Sequence, residues 1–193
     1  IFEIIIWTAF FLFFINIYNF MDGIDGLATS QSIFILLCIS VLGNYYSISS
    51  LSLFIIPLVV FLFYNLSPSK IFLGNAGSYM LGMLISILIY TDVNYSSNIV
   101  SLNHIITILI VLTVFIADSS YTLVSRFLYK YFDTKSISVS LRHITTAHNV
   151  HNYQLMAKKY NDHNKVTLYL MLYNILWCFP LAYISQILSN FSL

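Results

Sequence analysis

The chain has 193 residues and a mass of 22.2 kDa, with 59% hydrophobic and 8% charged residues and a net charge of +1. Eight Lys/Arg and seven Asp/Glu cannot clothe a soluble body of this size, for which about 25% charged residues is usual. This balance excludes a disordered chain and a basic nucleic-acid-binding surface, and with a mean hydropathy of +0.85 it describes an integral membrane protein.

Six apolar stretches follow in chain order. The first runs from about Ile1 to Ile17, and the chain opens inside it without a basic leader, so upstream sequence is expected. At its end stands Asn16-Ile-Tyr-Asn19-Phe-Met-Asp22-Gly-Ile-Asp25-Gly26-Leu-Ala28, with two carboxylates three positions apart beside glycines that let backbone approach a ligand. On a helical turn this spacing would make Asp22 and Asp25 converge. An EF-hand loop would need Glu at its twelfth position, where Ile33 stands, so that form of calcium site is rejected. The plainer alternative is a helix stop, with Asp capping the next helix and Gly turning the chain.

The second and third stretches run from about Ser32 to Tyr46 and from Leu51 to Leu66. The second is short of the roughly 20 apolar residues that cross a bilayer and must borrow its flanks, as must the fourth. After Lys70 comes Ile71-Phe-Leu-Gly74-Asn75-Ala-Gly77-Ser78-Tyr-Met-Leu-Gly82, leading into the fourth stretch, Tyr79 to Tyr90. Small residues at a helix N-terminus seat phosphate well; close helix packing through the glycines is the other reading. Asp92 is expected to be a loop acid beyond that stretch.

The fifth stretch, His104 to Leu123, carries Asp118, an acid at membrane depth that is either functional or ion-paired with Arg126 or another basic residue. A basic extramembrane segment follows, from about 125 to 165, containing Arg142-His143-Ile-Thr-Thr-Ala-His148-Asn149-Val-His151-Asn152-Tyr153-Gln154. The spacing of His148 and His151 suits one helical face, and without Cys or a nearby acid a phosphate role fits better than zinc. His104, His143 and His163 read as ordinary histidines. The sixth stretch runs from Val166 to Leu188, and Cys38 and Cys178 lie in apolar runs as small buried residues rather than a disulfide. Continuous apolarity without alternation favours helices over a barrel. The fold expected is an all-α polytopic membrane protein, one domain over 1–193 with about six transmembrane helices.

Six spans put every Lys and Arg, from Lys70 to Lys165, on one face, which the positive-inside rule makes cytoplasmic; all the motifs above share that face.

In order along the chain, Asn19 to Ala28, Ile71 to Gly82 and His148 to Gln154 resemble the signatures of the polyprenyl-phosphate N-acetylhexosamine-1-phosphate transferases. Asp118 to Arg126 and Asn164 to Leu168 also fall where that family has similar stretches. The His-x-Tyr-Gln loop is similar to the branch that initiates O-antigen or capsule glycans. The resemblance implies transfer of a sugar-1-phosphate from a UDP-N-acetylhexosamine to polyprenyl (undecaprenyl) phosphate, with release of UMP, at the inner (plasma) membrane. It implies Mg2+, with Mn2+ as a substitute, and leaves room for a homodimer. By resemblance Asp22 and Asp25 are catalytic, and Asp25 and Asn75 hold the metal. Asn19, Gly74, Gly77, Ser78, His148 and His151 bind substrate.

Three departures stand beside it. Asn75 replaces the family's loop Asp and Asn149 its Arg, and no Asp-Asp pair occurs, so the chain is expected to be the C-terminal part of a longer transferase. Two other readings of the residues are a defective relative that only binds lipid phosphate or partner helices, and a small transporter. The transporter reading suits the acids less, since they collect at one face.

Overall fold

In the computed structural model, residues 2–43, 45–95, 102–144 and 151–191 are described, and they are helical with connecting loops. The order is α1 (Phe2–Met21), α2 (Leu27–Leu42), α3 (Ile48–Asn65), α4 (Gly74–Tyr95), α5 (Leu102–Val111), α6 (Thr113–Thr134), α7 (Ile137–Ile144), α8 (Asn152–Tyr160), α9 (His163–Tyr173) and α10 (Phe179–Phe191). A π-helical stretch, Asn174–Cys178, joins the last two into one rod.

Each of the six apolar stretches lies on a helix or a helix pair, and the departures from six plain spans are instructive. Among the described residues, four helices are long and apolar enough to cross a bilayer: α1, α3, α4 and the α9–α10 rod. The fifth stretch is broken instead of straight, because α5 and α6 meet at Leu112 with a bend of 73°. The second is α2, only 16 residues long yet buried along almost its whole length, which makes it the central post of the bundle.

Hydropathy starts this span late, at Ser32, because Thr29, Ser30, Gln31 and Ser32 are polar. All four are buried, and each is satisfied locally or by a neighbouring helix. Ser30 and Ser32 hydroxyls donate to the carbonyls of Leu27 and Ala28 at 2.9 and 2.8 Å. The Thr29 hydroxyl donates to Asn65 Oδ1 at 2.9 Å, and Gln31 Oε1 accepts from Asn174 Nδ2 at 2.8 Å. Such bonds remove the cost of polar groups in an apolar bundle.

Around this post, α1 and α4 pack so closely that a Cβ on Gly82 would stand 2.8 Å from the Phe14 carbonyl oxygen and 2.9 Å from Ile15 Cα. Tyr18 of α1 stacks on Phe115 of α6, with ring centroids 4.6 Å apart. By contrast α3 shows apolar side chains such as Ile56, Val60 and Phe63 to the outside, the surface a lipid-facing helix needs.

At the end of the bundle away from the motifs, Asp92 is not in a loop. It lies in α4, 2% exposed, with Oδ2 3.0 Å from His104 Nε2 of α5 and Oδ1 accepting the Tyr45 backbone N–H at 2.8 Å. His104 Nδ1 is 3.4 Å from Gln186 Oε1 of α10, so His104 is a buried partner in a polar tie across three helices. Cys38 and Cys178 are buried and unbridged, as expected.

Candidate active site

The first motif is not a helical turn. Helix α1 ends at Met21 and α2 begins at Leu27, so Asp22 and Asp25 occupy the loop between them and the i, i+3 convergence is not how they are arranged. Nor does either Asp cap α2, whose N-cap is Gly26 without a side-chain bond. Gly26 does turn the chain: its φ of 74° is the left-handed conformation that glycine adopts without strain.

The two carboxylates face different neighbours. Asp22 is half-buried against the start of α4, where the Gly74 N–H donates to it. Burial pushes its carboxyl up to about 6, and the Gly74 hydrogen bond only partly offsets this. Asp25 turns toward the α3–α4 connection and the start of α9. Its Oδ1 accepts from the Ser69 hydroxyl at 2.9 Å, and its Oδ2 lies 3.2 Å from His163 Nδ1. Burial would raise its carboxyl, but hydrogen bonds from Ser69, His163 and Ser67 outweigh that and hold it below the usual range.

The second motif closes on the first. The Ser78 hydroxyl, fully buried in α4, donates to Asn19 Oδ1 at 3.1 Å, which couples the second motif to the first. Of Gly74, Gly77 and Gly82, it is Gly82 that faces the backbone of another helix. A Cβ on Gly77 would meet the side chain of Leu73 in its own loop, and Gly74 has open space but a φ of 64°. The helix-packing reading therefore holds at Gly82. Gly74 and Gly77 stand in the first turn of α4 free of any other helix's backbone, and Asn75 is exposed between them.

The third motif covers the same loop from above. The Tyr153 hydroxyl donates to the Phe20 carbonyl, and a Cβ on Gly23 would collide with the side chains of Tyr153 and Gln154. His151 caps α8, with Gln154 Oε1 accepting its backbone N–H at 3.3 Å, and its ring is packed against Phe20 and Tyr153. His151 Nδ1 lies 2.8 Å from Asp118 Oδ2, so the acid of the fifth stretch pairs with this histidine instead of Arg126. The Arg126 guanidinium donates to the His143 carbonyl at 2.6 Å. His148 and Asn149 lie outside the described residues.

His163, read from sequence as an ordinary surface histidine, belongs to this site. Its neighbours Asn164 and Thr167 fix the same region: Asn164 bonds both the N–H and the carbonyl of Ser67, at 2.9 and 2.7 Å, and the Thr167 hydroxyl donates to the Asp25 carbonyl at 3.0 Å. Asp25 and His163 are 138 positions apart, so no local spacing announces the pair.

Two kinds of space adjoin these residues. A polar cavity of about 250 Å³ is lined by Gly23, Gln154, Lys158 and His163. A mostly apolar one of about 430 Å³ lies between α6, α8 and α9, with Asp118, Tyr153 and Met156 in its wall. No cluster of three or more His, Cys, Asp or Glu able to cage a metal occurs among the described residues. Magnesium does not require one, since it binds through one or two carboxylates plus substrate phosphates. Asp22, Asp25 and the Asn75 side chain supply hard oxygen donors of that kind at this end of the bundle.

Comparison with known proteins agrees with the motifs. The profile of Glycosyl transferase family 4 matches residues 1–92. A probable undecaprenyl-phosphate N-acetylglucosaminyl 1-phosphate transferase of Bacillus subtilis is 42% identical over 119 residues, which is 60% of this chain and 32% of that protein. A phospho-N-acetylmuramoyl-pentapeptide-transferase of Staphylococcus saprophyticus is 27% identical over 179 residues, 87% of this chain and 50% of that protein. Another, from Nautilia profundicola, is 32% identical over 106 residues, covering 45% and 30%. The chain thus spans about a third to a half of the length of these curated relatives. No solved structure matches it.

Proposed function

We propose, from a membrane chain related through residues 1–92 to Glycosyl transferase family 4, that this protein takes part in phospho-sugar transfer to a polyprenyl phosphate. The donor is a UDP-N-acetylhexosamine, the acceptor undecaprenyl phosphate, the released product UMP, and the glycan so initiated is destined for the cell surface. The observation that carries this reading is the meeting of three sequence-distant motifs, 19–26, 74–78 and 151–154, at one end of the helix bundle. By the positive-inside rule that end, which bears the Lys and Arg residues, faces the cytoplasm. A nucleotide sugar reaches it from water, while a lipid phosphate reaches it along the bilayer.

Phosphoryl transfer asks for positioning and charge neutralisation more than for covalent chemistry. Asp25, held by Ser69 and His163, is the fixed carboxylate; Asp22, with its raised affinity for a proton, is the group suited to take one from an attacking oxygen. Asn19 and Ser78 tie α1 to α4, and Gly74, Gly77 and His151 line the approach for phosphate oxygens, with His148 assigned the same role by resemblance. Asp25 and Asn75, aided by Asp22, would hold Mg2+ or Mn2+, which when bound neutralises phosphate charge.

The test is UMP release by the full gene-encoded protein in detergent or proteoliposomes, given UDP-N-acetylglucosamine and undecaprenyl phosphate. UMP should form only with both substrates and a divalent ion, and Asp22→Asn should abolish it while membrane insertion is retained. Absence of transfer with any UDP-N-acetylhexosamine would sink the proposal.

A further inference from the structure

Asp118 is the one acid of the motif-bearing end that comes from a membrane-depth stretch, and the transfer reaction as described above gives it no task. It lies in α6, six residues from the broken junction at Leu112, with its side chain 10% exposed. Its Oδ2 is 2.8 Å from Nδ1 of His151, whose own side chain is 4% exposed. The ring has two aromatic neighbours: Phe20 at a centroid distance of 5.8 Å and Tyr153, stacked on it, at 5.6 Å. The backbone beneath is fixed as well, because His151 is the N-cap of α8. A histidine clamped this way has one variable left, which is the nitrogen that carries the proton. A carboxylate on Nδ1 decides it, since an ionised carboxylate only accepts.

We infer that Asp118 is the positioning residue of His151, fixing the imidazole as the Nδ1–H tautomer, in which Nε2 carries the lone pair. This rests on the proposed transfer site, of which His151 is a part. Asp118 touches no substrate in this scheme. It acts through the ring, as the buried Asp of a Ser-His-Asp triad does, where the Asn variant keeps the geometry but leaves the wrong tautomer. The groups around the pair are Asp118 on α6, Tyr153 on α8 and, beyond Tyr153, Asp22 at the end of α1.

The experiment has two independent readouts, both on the full gene-encoded protein in detergent. The first is the ¹⁵N spectrum of histidine-labelled protein, with the His151 signal assigned by its loss in His151→Gln. Wild type should show His151 as the Nδ1–H tautomer, and Asp118→Asn should shift it toward the Nε2–H form. The second is transfer kinetics. Asp118→Asn should lower kcat roughly 10²-fold with KM within about threefold, and Asp118→Glu should recover part of the loss.

An Nε2–H tautomer in the wild type would overturn the inference without any variant having to fold. So would an Asp118→Asn protein with wild-type kcat, or one that loses KM alone. If the wild type makes no UMP at all, the transfer proposal fails, and the spectrum still decides whether Asp118 sets the tautomer.

Discussion

Replacing Gly82 by alanine should push α1 and α4 apart. A Cβ there would stand 2.8 Å from the Phe14 carbonyl oxygen and 2.9 Å from Ile15 Cα, roughly half an ångström short of ordinary contact in each case. Both neighbours are backbone atoms of a packed helix, so no side-chain rotation relieves the clash and the helices must separate. Overpacking of this kind costs about 1–3 kcal/mol. The effect should reach the site, because the Ser78–Asn19 hydrogen bond lies one turn along both helices from the pivot. Trp7 of α1 supplies the probe: it stacks edge-on with Tyr90 of α4 at 4.7 Å, at the far end of the same interface. Thermal unfolding of purified protein in detergent, followed by tryptophan fluorescence, should show Gly82→Ala melting several degrees below wild type. Gly77→Ala should melt closer to wild type, because its Cβ meets only the flexible Leu73 side chain. Gly74→Ala should cost about 1 kcal/mol through its φ of 64° alone. A Gly82→Ala protein as stable as wild type, or less perturbed than Gly77→Ala, would refute the view that this glycine exists to let two helices touch.

Asp22, whose carboxyl is raised to about 6 from 3.8 by burial, makes the folded state bind a proton more readily than the unfolded chain. Stability should therefore fall as pH rises from about 4 through 6 and then level off. The full shift corresponds to about 3 kcal/mol, and with the carboxylate partly open to water about 1–2 kcal/mol is expected. Asp22→Asn should remove that slope and melt higher than wild type at pH 7.5; an unchanged pH profile of the melting temperature would refute the burial argument. Asn174→Ala deletes the buried bond to Gln31 Oε1 and should cost about 0.6–2 kcal/mol by reversible unfolding in mixed micelles, with no loss indicating that the polar tie between α2 and the α9–α10 rod contributes nothing. Asn75→Asp adds a carboxylate to the exposed start of α4 and should lower the Mg2+ concentration that half-activates UMP release about tenfold. An identical magnesium titration would remove Asn75 from the metal site, and chelation by EDTA should stop turnover in both forms.

Much of this molecule was written in the order of its residues. The charge deficit and the six apolar stretches determined a helical membrane protein, because continuously apolar runs without alternation satisfy their backbone in lipid as helices. The placement of every Lys and Arg between alternate stretches determined which loops share an end. The local runs at 19–28, 71–82 and 148–154 were legible as a site for the same reason: each keeps its chemistry within a dozen consecutive residues.

Tertiary structure decided what depends on contacts across the chain. Asp22 and Asp25 look like a pair in sequence, yet a loop replaces the helical turn and sends one to Gly74 and the other to Ser69 and His163. His163, Asp92 and His104 carried no local signal, since a histidine's role is set by the carboxylate that meets it, and those partners lie 138 and 12 positions away. Asp118 was legible as an unusual acid, but its partner was not: Arg126 is two turns along on the same helix, while His151 arrives from beyond another helix and stacks into place. Hydropathy reads how much of a residue prefers lipid. Which acid meets which base is settled only when the helices pack.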